Sequence, residues 1–85
     1  MTELPKRIHA IVHGRVQGVS FRYNTMLKAR EIGVVGWVRN LAASPVEVVA
    51  EGDREPLDTL VEFLRIGHLG AHVMNLELNE LVADG

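Results

Sequence analysis

The spacing of hydrophobic positions switches repeatedly along the chain, and each switch marks an element. Ile8, Ala10 and Val12 alternate with His9, Ile11 and His13 up to Gly14, the two-residue period of a strand with one strongly apolar face. The period then lengthens. Phe21, Tyr23, Met26, Leu27 and Arg30 follow a helical spacing, with Ser20 placed to cap the first turn and Gly33 to end the last. Val34 to Arg39 (VVGWVR) is β-branched and aromatic, and Val46 to Glu51 (VEVVAE) alternates again, which predicts two strands joined by a short connection. Gly52 and Asp53 introduce a second helix, in which Asp53 can cap, Glu55 suits the positive end of the dipole and Pro56 fits the first turn. Leu57, Leu60, Val61 and Leu64 recur at i, i+3, i+4 and i+7, so one apolar stripe faces a sheet and the helix ends near Gly67. After a loop through Gly70, the segment Val73 to Leu78 resumes the alternation, leaving the C-terminal LVADG as a weakly patterned tail.

The order strand, helix, strand, strand, helix, strand predicts an α+β fold: a ferredoxin-like βαββαβ sandwich, an antiparallel sheet with both helices on one face. Right-handed crossovers put the third strand between the first and the second, so these two run the same way. Their C-terminal ends then share one edge, about 10 Å apart from two strand spacings of roughly 4.8 Å. That gap suits one arginine and one phosphate-sized anion. No repeat, low-complexity tract or linker divides the chain, and residues 1–85 read as a single domain.

Composition narrows the chemistry. Hydrophobic residues at 47% with 24% charged describe a folding chain and not a disordered one. Nine Lys and Arg against eleven Asp and Glu give a net charge of −2, so no basic field invites a nucleic acid. The absence of cysteine excludes a disulfide framework, a thiolate zinc site, an iron–sulfur cluster and a cysteine nucleophile. No apolar run approaches the roughly 20 residues of a membrane span, and the start MTELPKR lacks the apolar stretch of a secretion signal; the expectation is a cytoplasmic protein with no membrane partner. His9, His13, His68 and His72 are the only temptation toward a metal, and their spacing does not fit a metal site. No metal is expected.

Chemistry concentrates between the first strand and the first helix, in Gly14-Arg15-Val16-Gln17-Gly18-Val19-Ser20-Phe21-Arg22. Two glycines allow successive amides to turn inward, and the helix start behind them supplies unsatisfied N–H groups and about half a positive charge. Arg22, in the first helical turn, adds a planar fork able to grip two oxygens of one anion. The expected ligand is a phosphate or carboxylate.

GRVQGVSFR, followed by GWVRN from Gly36 to Asn40, closely resembles the paired signatures of the acylphosphatases. The likeness extends through VEVVAEG and covers roughly His9 to Glu77. It implies metal-independent, cofactor-free hydrolysis of carboxyl–phosphate anhydrides, with a small-molecule acyl phosphate as substrate, inorganic phosphate as product, and a monomeric enzyme. The resemblance further implies that the backbone of Arg15, Val16, Gln17, Gly18, Val19 and Ser20 cradles the phosphoryl oxygens, that Arg22 binds the phosphate and that Asn40 positions the attacking water. The alternative is a non-catalytic phosphate- or carboxylate-binding module of the same architecture. A ferredoxin-like RNA-binding module is disfavoured by the charge and by the lack of an aromatic pair on a central strand.

Blander roles compete for several residues. Phe21 and Trp37 read as packing residues, Arg15 and Arg39 as either positive charge near the mouth or merely exposed, and Glu51 and Asp53 as capping or solvated groups. The family's glycine-containing turn after Asn40 is replaced here by Leu41-Ala42-Ala43-Ser44-Pro45. Ser44 is less suited than glycine to positive φ and Pro45 fits only at the very start of a strand, so another turn type is expected, with consequences for the orientation of Asn40.

Overall fold

The computed structural model describes residues 6–17, 20–67 and 71–82. Its elements are β1 (Lys6–Arg15), α1 (Phe21–Ile32), β2 (Val35–Asn40), β3 (Val46–Gly52), α2 (Arg54–Ile66) and β4 (His72–Val82). The strands form one sheet in the order β2-β3-β1-β4, and every neighbouring pair is antiparallel. β3 therefore separates β1 from β2, which point the same way, as the connection rules require. Ile8, Ala10 and Val12 of β1 and Val46, Val48 and Ala50 of β3 pack into one core with Phe21 of α1 and Leu57, Leu60, Val61 and Leu64 of α2, so both helices lie on one face. Complete burial of each large aliphatic side chain here contributes about 1.5–3 kcal/mol. Among the described residues no helix is long and apolar enough to cross a membrane.

Two strands outrun their hydrophobic alternation. β1 continues through Gly14 to Arg15, and β4 runs to Val82, pairing Leu81 with Arg7 and Val82 with Lys6. Backbone hydrogen bonding, indifferent to side-chain period, extends the ladder where the pattern fades. Residues 83–85 of the C-terminal segment, like His68, Leu69 and Gly70 of the loop before β4, lie outside the described residues. Gly14 is thus not a free loop residue. It sits at a register shift in the β1–β4 ladder, with φ 132°, where a Cβ would meet the His72 carbonyl oxygen at 2.1 Å. Only glycine fits so close an approach.

α1 also buries a different stripe from the expected one. Phe21 and Thr25 are buried and Ala29 and Ile32 pack against the core, while Tyr23, Met26 and Leu27 are exposed. The face at i, i+4, i+8 and i+11 wins because it continues from Phe21, which stacks on Phe63 of α2 with ring centroids 6.5 Å apart. Small residues on that stripe leave a cleft of about 270 Å³ between α1 and the β2–β3 edge, and the Thr25 hydroxyl beside it has no hydrogen-bond partner among the described residues. Gly33, φ 80°, ends α1, and its amide with that of Val34 reaches back to the Ala29 carbonyl. Asp53 and Ser20 occupy the cap positions of α2 and α1, yet neither side chain makes a capping bond. For Ser20 the reason is its left-handed backbone, φ 62° and ψ 22°, whereas a capping hydroxyl needs extended geometry to reach the amides of the first turn.

Candidate active site

The parallel directions of β1 and β2 bring the C-terminal ends of both strands to the same edge of the sheet. Register then decides which side chains share a face. Asn40 is aligned with Val46, and Val46 with Val12; both valines are buried beneath the helices, so Asn40 stands on the helix-bearing face. Its carboxamide is exposed and makes no hydrogen bond among the described residues. One residue earlier the alternation reverses: Arg39 is aligned with Glu47 on the open face.

The segment after β1 is anchored by Val16, whose side chain is 1% exposed and belongs to the core. From Val16 the chain runs on toward the start of α1 at Phe21. Among the described residues no backbone carbonyl accepts a hydrogen bond from the amides of Val16, Gln17, Arg22 or Tyr23. For Arg22 and Tyr23 this is the ordinary condition of a first helical turn, which leaves its donors unsatisfied. No acidic residue lies in that turn, and among the described residues no carboxylate pairs with Arg22, whose side chain is exposed. A cation placed unpaired at the positive end of a helix works against the dipole. Amides, dipole and guanidinium are instead complementary to one anion.

The remaining expected phosphate-loop residues divide. Arg15 is the last residue of β1 and exposed, Ser20 is exposed before α1, and Gly18 and Val19 lie outside the described residues. The Gln17 side chain meets the turn between β2 and β3: its Nε2 donates to the carbonyls of Leu41 at 2.7 Å and Pro45 at 2.9 Å. The turn it meets does what its composition resists. Ala43 and Ser44 hold φ values of 65° and 87°, left-handed conformations that cost about 1–2 kcal/mol per non-glycine residue. Pro45 immediately precedes β3 and donates nothing, and the Leu41 amide bonds the Pro45 carbonyl at 2.8 Å.

The open face of the sheet carries a second polar arrangement that the sequence reading overlooked. The Glu47 carboxylate accepts from His9 Nε2 and from Arg39 Nε, each at 2.6 Å. Arg7 pairs with Glu51, and His13 with Glu77. Arg39 also lies over Trp37, 4.9 Å from the ring centroid, with Trp37 45% exposed. Arg39 is therefore engaged on the face opposite Asn40, and Trp37 is a half-exposed platform for it rather than core packing. Alternating basic and acidic residues on adjacent strands were the available signal. Among the described residues no three His, Asp or Glu side chains converge as a metal site.

Hydrogen bonds from His9 first and Arg39 second hold the Glu47 carboxyl below its ordinary range, against a smaller opposing effect of desolvation. The unfolded chain therefore binds this proton more tightly than the native state. The resulting stabilisation is present above the unfolded carboxyl value, about 4.3, and is lost as pH falls through the lower native value. Urea unfolding from pH 7 to pH 3 should show wild type more stable than Glu47→Gln at neutral pH, with the gap closing below about pH 4. A gap independent of pH would contradict this.

Comparison with known proteins reaches the same region of the chain. A family model described as Acylphosphatase matches residues 8–85. An acylphosphatase of Methylococcus capsulatus is 48% identical over 80 residues, covering 94% of this chain and 87% of the relative. Among solved structures, an acylphosphatase from Coxiella burnetii superposes with a TM-score of 0.89 at 40% identity, covering 96% of this chain and 86% of that one. The acylphosphatase from Bacillus subtilis gives 0.85 at 36% identity, with 88% and 83% covered.

Proposed function

We propose a mechanism from the premise that this chain belongs to the acylphosphatase family and is an enzyme hydrolysing acyl phosphates. The phosphoryl group sits at the start of α1, its oxygens held by the Arg22 guanidinium and by backbone amides of the segment from Arg15 to Ser20. Asn40 holds the attacking water from the same face of the sheet. Its carboxamide can accept from and donate to that water but does not titrate, so it orients the nucleophile without acting as a base. Water oxygen bonds to phosphorus while the bond from phosphorus to the acyl oxygen breaks, and the electron pair leaves on the carboxylate. The water proton passes to a phosphate oxygen. Because the carboxylate is a good leaving group, charge stabilisation and alignment suffice, and no covalent intermediate with the protein is needed.

The observation that carries this reading is the acid-free first turn of α1, where, among the described residues, Arg22 has no carboxylate partner and the Arg22 and Tyr23 amides have no backbone acceptor. Inorganic phosphate, as a tetrahedral anion competing for that seat, should inhibit hydrolysis of a simple acyl phosphate competitively. Noncompetitive inhibition, or none up to high concentration, would count against a shared pocket. The same reading takes residues 1–85 as one domain acting as a cytoplasmic monomer on a small-molecule acyl phosphate, without nucleic-acid or membrane partner. Every group invoked lies on one chain, and a net charge of −2 offers no general attraction to polyanions. Sedimentation and cell fractionation check these points.

A further inference from the structure

We propose that the Gln17 side chain is a positioning residue for Asn40, a strut that joins the phosphate-holding segment to the turn behind the water-holding carboxamide; this rests on the reading of Asn40 given above. The two acceptors of Gln17 Nε2 are the carbonyls at the two ends of the turn, Leu41 and Pro45. Both partners are acceptors, so the atom facing them must be the amide nitrogen, and its two hydrogens are both used. Leu41 follows Asn40 directly. Its amide is bound to the Pro45 carbonyl and its carbonyl to Gln17, so the path of the chain leaving Asn40 is tied at both polar groups of the next residue.

Such a turn needs external support. Ala43 and Ser44 sit in left-handed conformations without the freedom of glycine, Pro45 supplies no donor, and strained backbone persists only where its surroundings over-determine it. Gln17 provides that support from the segment that carries the proposed phosphate amides. It is half-buried, and among the described residues its hydrogen bonds go to the turn alone. One side chain thereby sets the spacing between the two halves of the site. Losing it should displace Asn40 from the water while leaving the phosphate seat in place. Displacements on the order of 1 Å at a reacting group cost up to about 100-fold in rate.

The test compares Gln17→Met, which keeps length and removes the donor, with Gln17→Ser, which shortens the side chain past the reach of the turn and keeps a polar group at this half-buried position, circular dichroism checking that both fold. Both are measured alone and combined with Asn40→Ala, using acetyl phosphate as substrate and inorganic phosphate as inhibitor. The expected result is a kcat about 10- to 100-fold lower with a phosphate inhibition constant within about threefold of wild type. In the Asn40→Ala background, Gln17→Met should lower kcat no further. Parallel loss of phosphate affinity, full additivity with Asn40→Ala, or an unchanged kcat in the single Gln17 variants overturns the strut while leaving the proposed chemistry standing. Unimpaired turnover in Asn40→Ala alone removes the underlying reading and the strut with it.

Discussion

Arg22→Gln should reduce kcat/KM for an acyl phosphate by about 100- to 1,000-fold or more and weaken inhibition by inorganic phosphate in step. Hydrogen bonds between charged groups contribute about 1.5–3 kcal/mol each, and a bidentate fork makes two of them to a phosphoryl group whose charge shifts as the acyl oxygen leaves. Glutamine keeps a donor but neither the charge nor the fork. The fold should not suffer. Arg22 is exposed and lies at the helix end where a cation opposes the dipole, so removing it is expected to leave stability unchanged or raise it by about 0.3–1 kcal/mol. Activity with acetyl phosphate and urea unfolding of the same sample would show turnover falling while stability holds or rises. Full activity in Arg22→Gln would remove the assignment, and a parallel loss of stability would make the effect structural.

Asn40→Ala should lower kcat by about 100- to 1,000-fold, the range seen when one preorganised donor at a reacting group is deleted, while phosphate inhibition stays near wild type. The split follows from geometry. Asn40 lies at the end of β2, across β3 from β1, whereas the proposed anion seat draws on the segment after β1 and the start of α1. A variant that lost phosphate affinity together with turnover would place Asn40 on the phosphate instead of the water. Its exposed side chain makes no hydrogen bonds among the described residues, so circular dichroism should be unchanged and stability should stay within about 0.5 kcal/mol of wild type.

The roles proposed for these two residues were legible in the sequence for different reasons. Arg22 follows a glycine-bearing segment and falls on the first turn of a helix that the spacing already predicts, so its place at the helix start is a local property. Asn40 is legible only through its companion motif, because nothing within GWVRN says which face of the strand it will occupy. The neighbouring Arg39 illustrates the difference. Read along the chain it could belong to the mouth of the site, but alternation turns it to the opposite face, where Glu47 and Trp37 engage it. The helix stripe was misread for a related reason. Tyr23, Met26 and Leu27 are more hydrophobic than Thr25 and Ala29, yet packing of Phe21 on Phe63 sets the rotation of α1 and sends the larger side chains outward.

Hydrophobic period, helix stops and strand count are properties of neighbouring residues, and from them the amino-acid order alone determined the βαββαβ arrangement, the position of β3 between β1 and β2, and the edge at which two strand ends meet. Contacts between residues distant along the chain were the business of the tertiary structure. It decided that Gly14 must yield room to the His72 carbonyl, that Ser20 starts α1 without capping it, and that Gln17 turns toward Leu41 and Pro45. Each depends on a partner brought close only by folding, and a side chain with several available rotamers carries no local record of which partner it will meet.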